Sequence, residues 1–118
     1  MSITIPKHKN FINGEFLDSD SGKMIQVENP ATEKVISEVP ESTAADVQNA
    51  VEVADKAQKT WVKVPPIERA DYLRSLAVAI RENEENLAHT ISEEQGKILS
   101  LAQIEVNFAA DYIDYMAG

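Results

Sequence analysis

The residues that could do chemistry in this chain are few and far apart. Its only histidines are His8 and His89, its adjacent acidic pairs include Glu84-Glu85 and Glu93-Glu94, and it has no cysteine. Metal ligation needs a convergent set of donors, but the position one helical turn after His89 is Glu93 rather than a second imidazole. Neighbouring side chains on a helix point about 100° apart, so the paired glutamates read as solvated faces rather than as an acid working with a base. Without a thiol there is no thiolate nucleophile, no disulfide framework and no cysteine-held zinc. Gly14, Gly22, Gly96 and Gly118 are too scattered to form a phosphate-cradling loop.

The formal charge of −9 and the isoelectric point near 4.6 exclude nucleic acid and anionic membrane as natural partners, since both would repel the chain. No apolar run approaches the roughly 20 residues of a membrane span, and Met1 to His8 lacks the apolar segment of a signal peptide. The expected setting is cytoplasmic. A chain of 118 residues with 43% hydrophobic content can own a core.

The elements that must position any site divide near residue 40. Asn13-Gly14, between Phe11-Ile12 and Glu15-Phe16, is a two-residue hairpin signal, because a type I′ turn needs positive φ at both central positions. Met24 to Val27 and Lys34 to Val39 read as edge strands with covered or borrowed partners, separated by Asn29-Pro30. His8 falls in an N-terminal arm expected to be mobile. Ser42 or Thr43 caps a first helix with Val47, Ala50, Val51, Ala54 and Ala57 at helical spacing. Pro65-Pro66 pre-sets a second helix, Gly96 suits a left-handed helix end, and Ile98, Leu101, Ile104, Phe108, Tyr112 and Tyr115 form one stripe on the last helix. The spacing predicts helices near residues 43–60, 66–82, 84–95 and 98–116. The fold class expected is mainly α with an N-terminal β-hairpin and short strands, as a single truncated domain over residues 1–118 (arm 1–40, helical region 41–118).

Five segments in order carry a resemblance: Phe11-Ile12-Asn13-Gly14-Glu15-Phe16, Val27-Glu28-Asn29-Pro30-Ala31-Thr32-Glu33, Glu68-Arg69-Ala70, Glu94-Gln95-Gly96-Lys97, and Ala110 to Ala117. Together they resemble the start of the NAD(P)-dependent aldehyde dehydrogenases, in particular the lactaldehyde/glycolaldehyde branch, although Gln95 stands where relatives often carry another residue. The resemblance implies an N-terminal fragment of the α/β fold of that family, from its cofactor-binding domain. The complete enzyme would use NAD or NADP to oxidise an aldehyde through a cysteine thiohemiacetal. It also implies that the catalytic and cofactor residues lie outside the matching region. For a monovalent cation it implies the carbonyls of Val27 and Glu28 and the carboxylate of Glu94, and for the mouth of the aldehyde tunnel it implies Ile104, Phe108 and Tyr112. The partners implied are the remainder of the fold and, through the apolar stripe, further copies in a homo-oligomer. The competing reading is a free-standing acidic helical module that offers an apolar helix face to another protein.

Overall fold

The computed structural model describes residues 4–118. Met1, Ser2 and Ile3, part of the segment read above for targeting signals, lie outside the described residues. Two compact units divide the chain, the first ending at Lys63 and the second covering Val64–Gly118.

In the first unit, β1 (Asn10–Ile12) and β2 (Glu15–Leu17) form an antiparallel hairpin with Phe11 opposite Phe16. The turn has φ of 54° at Asn13 and 78° at Gly14, the positive pair that an Asn-Gly sequence accepts with least strain. The two phenyl rings meet at 4.9 Å. β3 (Met24–Asn29) pairs antiparallel with β4 (Lys34–Pro40). These strands therefore find partners in each other, which corrects the expectation of covered or borrowed partners. The cause is the turn: Asn29 Oδ1 accepts from the Ala31 amide at 2.9 Å, Glu33 takes φ of 57°, and the chain reverses within the Asn-Pro-Ala-Thr segment.

The arm around His8, expected to be mobile, is hydrogen-bonded to β4. The His8 amide donates to the Glu38 carbonyl and the Glu38 amide donates to the Pro6 carbonyl, both at 2.9 Å, so this segment runs parallel beside β4.

Helix α1 (Ala44–Trp61) starts with a capping box. Thr43 Oγ1 accepts from the Asp46 amide at 3.1 Å while Asp46 accepts from the Thr43 amide at 2.7 Å, which satisfies two amide donors that a bare helix end would leave open. None of the α1 side chains is buried, so the apolar positions at helical spacing, including Val47 and Val51, stay largely exposed.

The second unit holds α2 (Pro66–Glu82), α3 (Glu84–Gln95) and α4 (Leu99–Ala117). Asn83 ends α2 and caps α3, and Gly96 ends α3 in the left-handed region with φ of 65°, as its sequence position suggests. The core is made of small side chains. Ala88, Ala102 and Val106 are buried with Ile80, Ile91 and Leu99 packed around them, and no large side chain is fully buried among the described residues. Arg81 of α2 reaches both Asp111 at 2.7 Å and Asp114 at 2.8 Å on α4. The hydrogen bonds it donates to Asp111 and then Asp114 raise the pKa of its guanidinium further.

The cap of α1 should show in acid. The Thr43 amide first, then the Ser19 hydroxyl, hold the Asp46 carboxyl down from its ordinary 3.8 to about 2. A carboxylate depressed on folding contributes stability above its unfolded value and loses it as pH falls through the folded one. Between about pH 4 and pH 2 the wild-type chain should therefore lose stability that Asp46→Asn lacks throughout. At neutral pH, Thr43→Ala should cost about 0.5–2 kcal/mol in urea unfolding.

Candidate functional site

Two faces of α4 differ in size. Ala102, Val106, Ala110 and Ala117 turn inward and are buried, and the small side chains let α4 lie close to α2 and α3. The larger residues consequently point out: Ile104 is 64%, Phe108 69% and Tyr112 53% exposed. Residues three and four apart share a helix face, so Ile104 and Phe108 sit together, and Tyr112 stacks on Phe108 with ring centroids 6.5 Å apart.

A shallow cavity of about 520 Å³ lies on this surface, lined by Ser100, Gln103, Ile104, Asn107, Phe108 and Asp111. Of the three residues expected at a tunnel mouth, the structure brings Ile104 and Phe108 to this cavity; Tyr112 adjoins Phe108 without lining it. The polar residues Ser100, Gln103, Asn107 and Asp111 were missed from sequence, although they repeat at spacings of three, four and four, one step around the helix. Their edge is held in place: Asn107 Nδ2 donates to the Gln103 carbonyl at 3.0 Å, and Asp111 is engaged by Arg81. The cavity thus has an apolar wall beside a hydrogen-bonding rim, an arrangement suited to small molecules with an apolar body and a polar group.

The other expected set is spread over both units. Val27, half-buried, and Glu28, exposed, are successive residues of β3. Val27 pairs with Ser37 and Glu28 with Val35, leaving Ile36 as the extra residue of a β-bulge, a feature that locally interrupts the ladder. Glu94 belongs to the second unit, exposed on the last turn of α3 two residues before the left-handed Gly96. Two carbonyls and a carboxylate make an all-oxygen donor set, chemically suited to a hard cation. Among the described residues no group of three or more His, Cys, Asp or Glu side chains could hold a metal ion, so neither His8 nor His89 heads a side-chain cluster.

This chain belongs to the aldehyde dehydrogenase family, whose model matches residues 16–118. It is 45% identical over 117 residues to lactaldehyde dehydrogenase of Escherichia coli, covering 99% of this chain and 24% of that protein. A crystal structure of lactaldehyde dehydrogenase from Escherichia coli, again 45% identical, matches 97% of this chain and 24% of that chain with a TM-score of 0.93. A structure of 3,6-anhydro-L-galactose dehydrogenase in complex with NAP, 34% identical, matches 94% of this chain and 23% of that chain with a TM-score of 0.91. The chain spans about a quarter of the length of these relatives and corresponds to their amino-terminal portion. The family is one of oxidoreductases. No described helix is long and apolar enough to cross a membrane.

The two faces of α4 should separate cleanly on mutation. Val106→Ala should lower stability by about 1.5–3 kcal/mol through lost burial and a residual cavity. Ile104→Ser and Phe108→Ser should each stay within about 0.5 kcal/mol of wild type when the chain is dilute enough to be monomeric, as surface substitutions do. Urea melts followed by circular dichroism distinguish the two; a large loss in the serine variants would assign the stripe to the core.

Proposed function

We propose that these 118 residues form the amino-terminal part of an NAD(P)-dependent aldehyde dehydrogenase that oxidises an aldehyde to a carboxylic acid in the cytoplasm. The observation that carries this reading is the family match across residues 16–118 in a chain without cysteine. Aldehyde oxidation of this kind needs a nucleophilic thiolate, a group to activate the deacylating water, and a site for the hydride acceptor. In this reading these residues are one part of a larger cofactor-binding domain, and the thiolate and the cofactor site come from residues beyond these 118. The chain by itself binds no cofactor productively.

The part this chain contributes is shape. Ile104 and Phe108, with Tyr112 behind them, are proposed as one wall of the aldehyde tunnel. Their exposure supports this, since a stripe of that size asks for cover from more protein. In isolation the same face is proposed to self-associate, and the complete enzyme to be a homo-oligomer. A strictly monomeric chain across the micromolar range in sedimentation equilibrium would remove the self-association part.

Val27, Glu28 and Glu94 are proposed as contributors to a monovalent cation site in the complete enzyme, where all-oxygen donors favour sodium or potassium over transition metals. Glu94→Gln should weaken sodium or potassium binding measured by calorimetry on that enzyme; unchanged binding removes the assignment.

The purified 118-residue chain, incubated with NAD+ or NADP+ and a panel of short aldehydes, should form no reduced nucleotide. Turnover that survives repurification would contradict the division of labour proposed here. Intact mass of the protein in its native source, about 13 kDa against a subunit several times larger, tests the same reading independently.

A further inference from the structure

Both roots of the β1–β2 hairpin are tied to one short segment at the start of α1. At the first root, Asn10 Nδ2 donates to Ser42 Oγ at 2.8 Å. At the second, Ser19 Oγ lies 2.7 Å from Asp46 Oδ2, and the Asp20 amide donates to Asp46 Oδ1 at 3.3 Å. Ser19 is buried, at 7% exposure, so its hydroxyl has no water to fall back on.

The direction of that hydroxyl follows from counting protons. Ser19 Oγ has three acceptors within reach, Asp46 Oδ2 at 2.7 Å, the Glu41 carbonyl at 2.9 Å and Ser21 Oγ at 3.1 Å, but only one proton. Ser21 Oγ donates to the Glu41 carbonyl at 2.7 Å, and the Ser19 proton goes to the charged carboxylate, the nearest and strongest of its acceptors. The same Asp46 Oδ2 also accepts from the Thr43 amide at 2.7 Å and the Thr43 hydroxyl at 3.0 Å. A single oxygen therefore serves the cap of α1 and the root of the hairpin at once.

Apolar packing does not fix the hairpin in their place. Between hairpin and helix runs an open cleft of about 420 Å³ whose lining includes Phe11, Ile12, Val47, Ala50 and Val51. Phe11, Val47 and Val51 stay 65%, 57% and 58% exposed. The position of the hairpin over α1 thus rests on its polar roots.

We infer that the Ser42–Asp46 segment is a clasp: the first turn of α1 and the hairpin roots order and open as one unit through Asp46, and the clasp sets how wide the cleft between Phe11 and Val47 stands. Coupling between two sites is reciprocal. Loosening the hairpin root must loosen the helix cap, and loosening the cap must loosen the root, by the same factor.

Residue-resolved amide hydrogen exchange on the 118-residue chain tests this. Ser19→Ala removes bonds on the root side alone, that to Asp46 and the acceptor of the Ser21 amide, yet the Asp46 and Val47 amides, whose own Thr43 partners remain, should exchange about fivefold faster or more, the lower end of typical coupling. Thr43→Ala should accelerate the Asp20 amide by a similar factor, and Thr43→Ser should restore it. Ser21→Ala, which removes a hydroxyl that reaches Ser19 Oγ at 3.1 Å but makes no bond to Asp46, should disturb the first turn of α1 less than Ser19→Ala does. The clasp is overturned if each substitution accelerates its own side alone, if Ser21→Ala matches Ser19→Ala, or if amides of α2 and α4 accelerate equally.

Discussion

Close approach of α4 to its neighbours through alanine is the constraint on which the second unit depends. Ala77 on α2, Ala88 on α3 and Ala102 and Ala110 on α4 have no exposed surface, and a methyl group is the largest side chain that such spacing admits without repacking. Small residues bury little area each. The unit therefore adds ties at its margins, with Arg81 spanning Asp111 and Asp114, and Arg74 reaching the Ala117 carbonyl at 3.3 Å. The same constraint decides where the large side chains go. With the inner face of α4 given to Ala102, Val106, Ala110 and Ala117, Ile104, Phe108 and Tyr112 face outward, and the stripe proposed as a tunnel wall follows from core geometry.

Local chemistry made most of the architecture legible in advance. Asn13-Gly14 gave its turn, Pro65-Pro66 and Gly96 marked helix ends, and four helices fall within a few residues of their expected ranges. These signals work because each acts within a few residues, through φ or through a missing amide. Pairing of β3 with β4 was harder to read because Asn29-Pro30 looks like an interruption, and only the side-chain bond from Asn29 reveals it as a reversal. The pairing of the arm at His8 was unreadable for a related reason: its partner, Glu38, is thirty residues away, and periodicity in either segment is silent about such a pairing.

The candidate site was legible in a different measure. Ile104 and Phe108 could be named because family resemblance singled them out, while helical spacing alone does not distinguish a core stripe from an exposed one. What separates the cases is which face carries the smaller residues. Alanine at 102, 110 and 117 around Val106 was available in the sequence as a hint that this was the inward side. The polar rim from Ser100 to Asp111 went unread because polar side chains on a helix ordinarily signify solvent, and only the cavity gives them a common purpose.

Asp46 has a consequence for how freely the chain can vary. A capping box commonly carries glutamate or glutamine at its third position, and a helix considered alone would accept that longer side chain here. This one carries aspartate, whose short reach leaves its carboxylate level with Ser19 as well as Thr43. An added methylene would push the carboxylate past one of the two. Positions 19, 43 and 46 are therefore a joint choice, and substitutions acceptable singly in other helices are admissible here only in matched combinations.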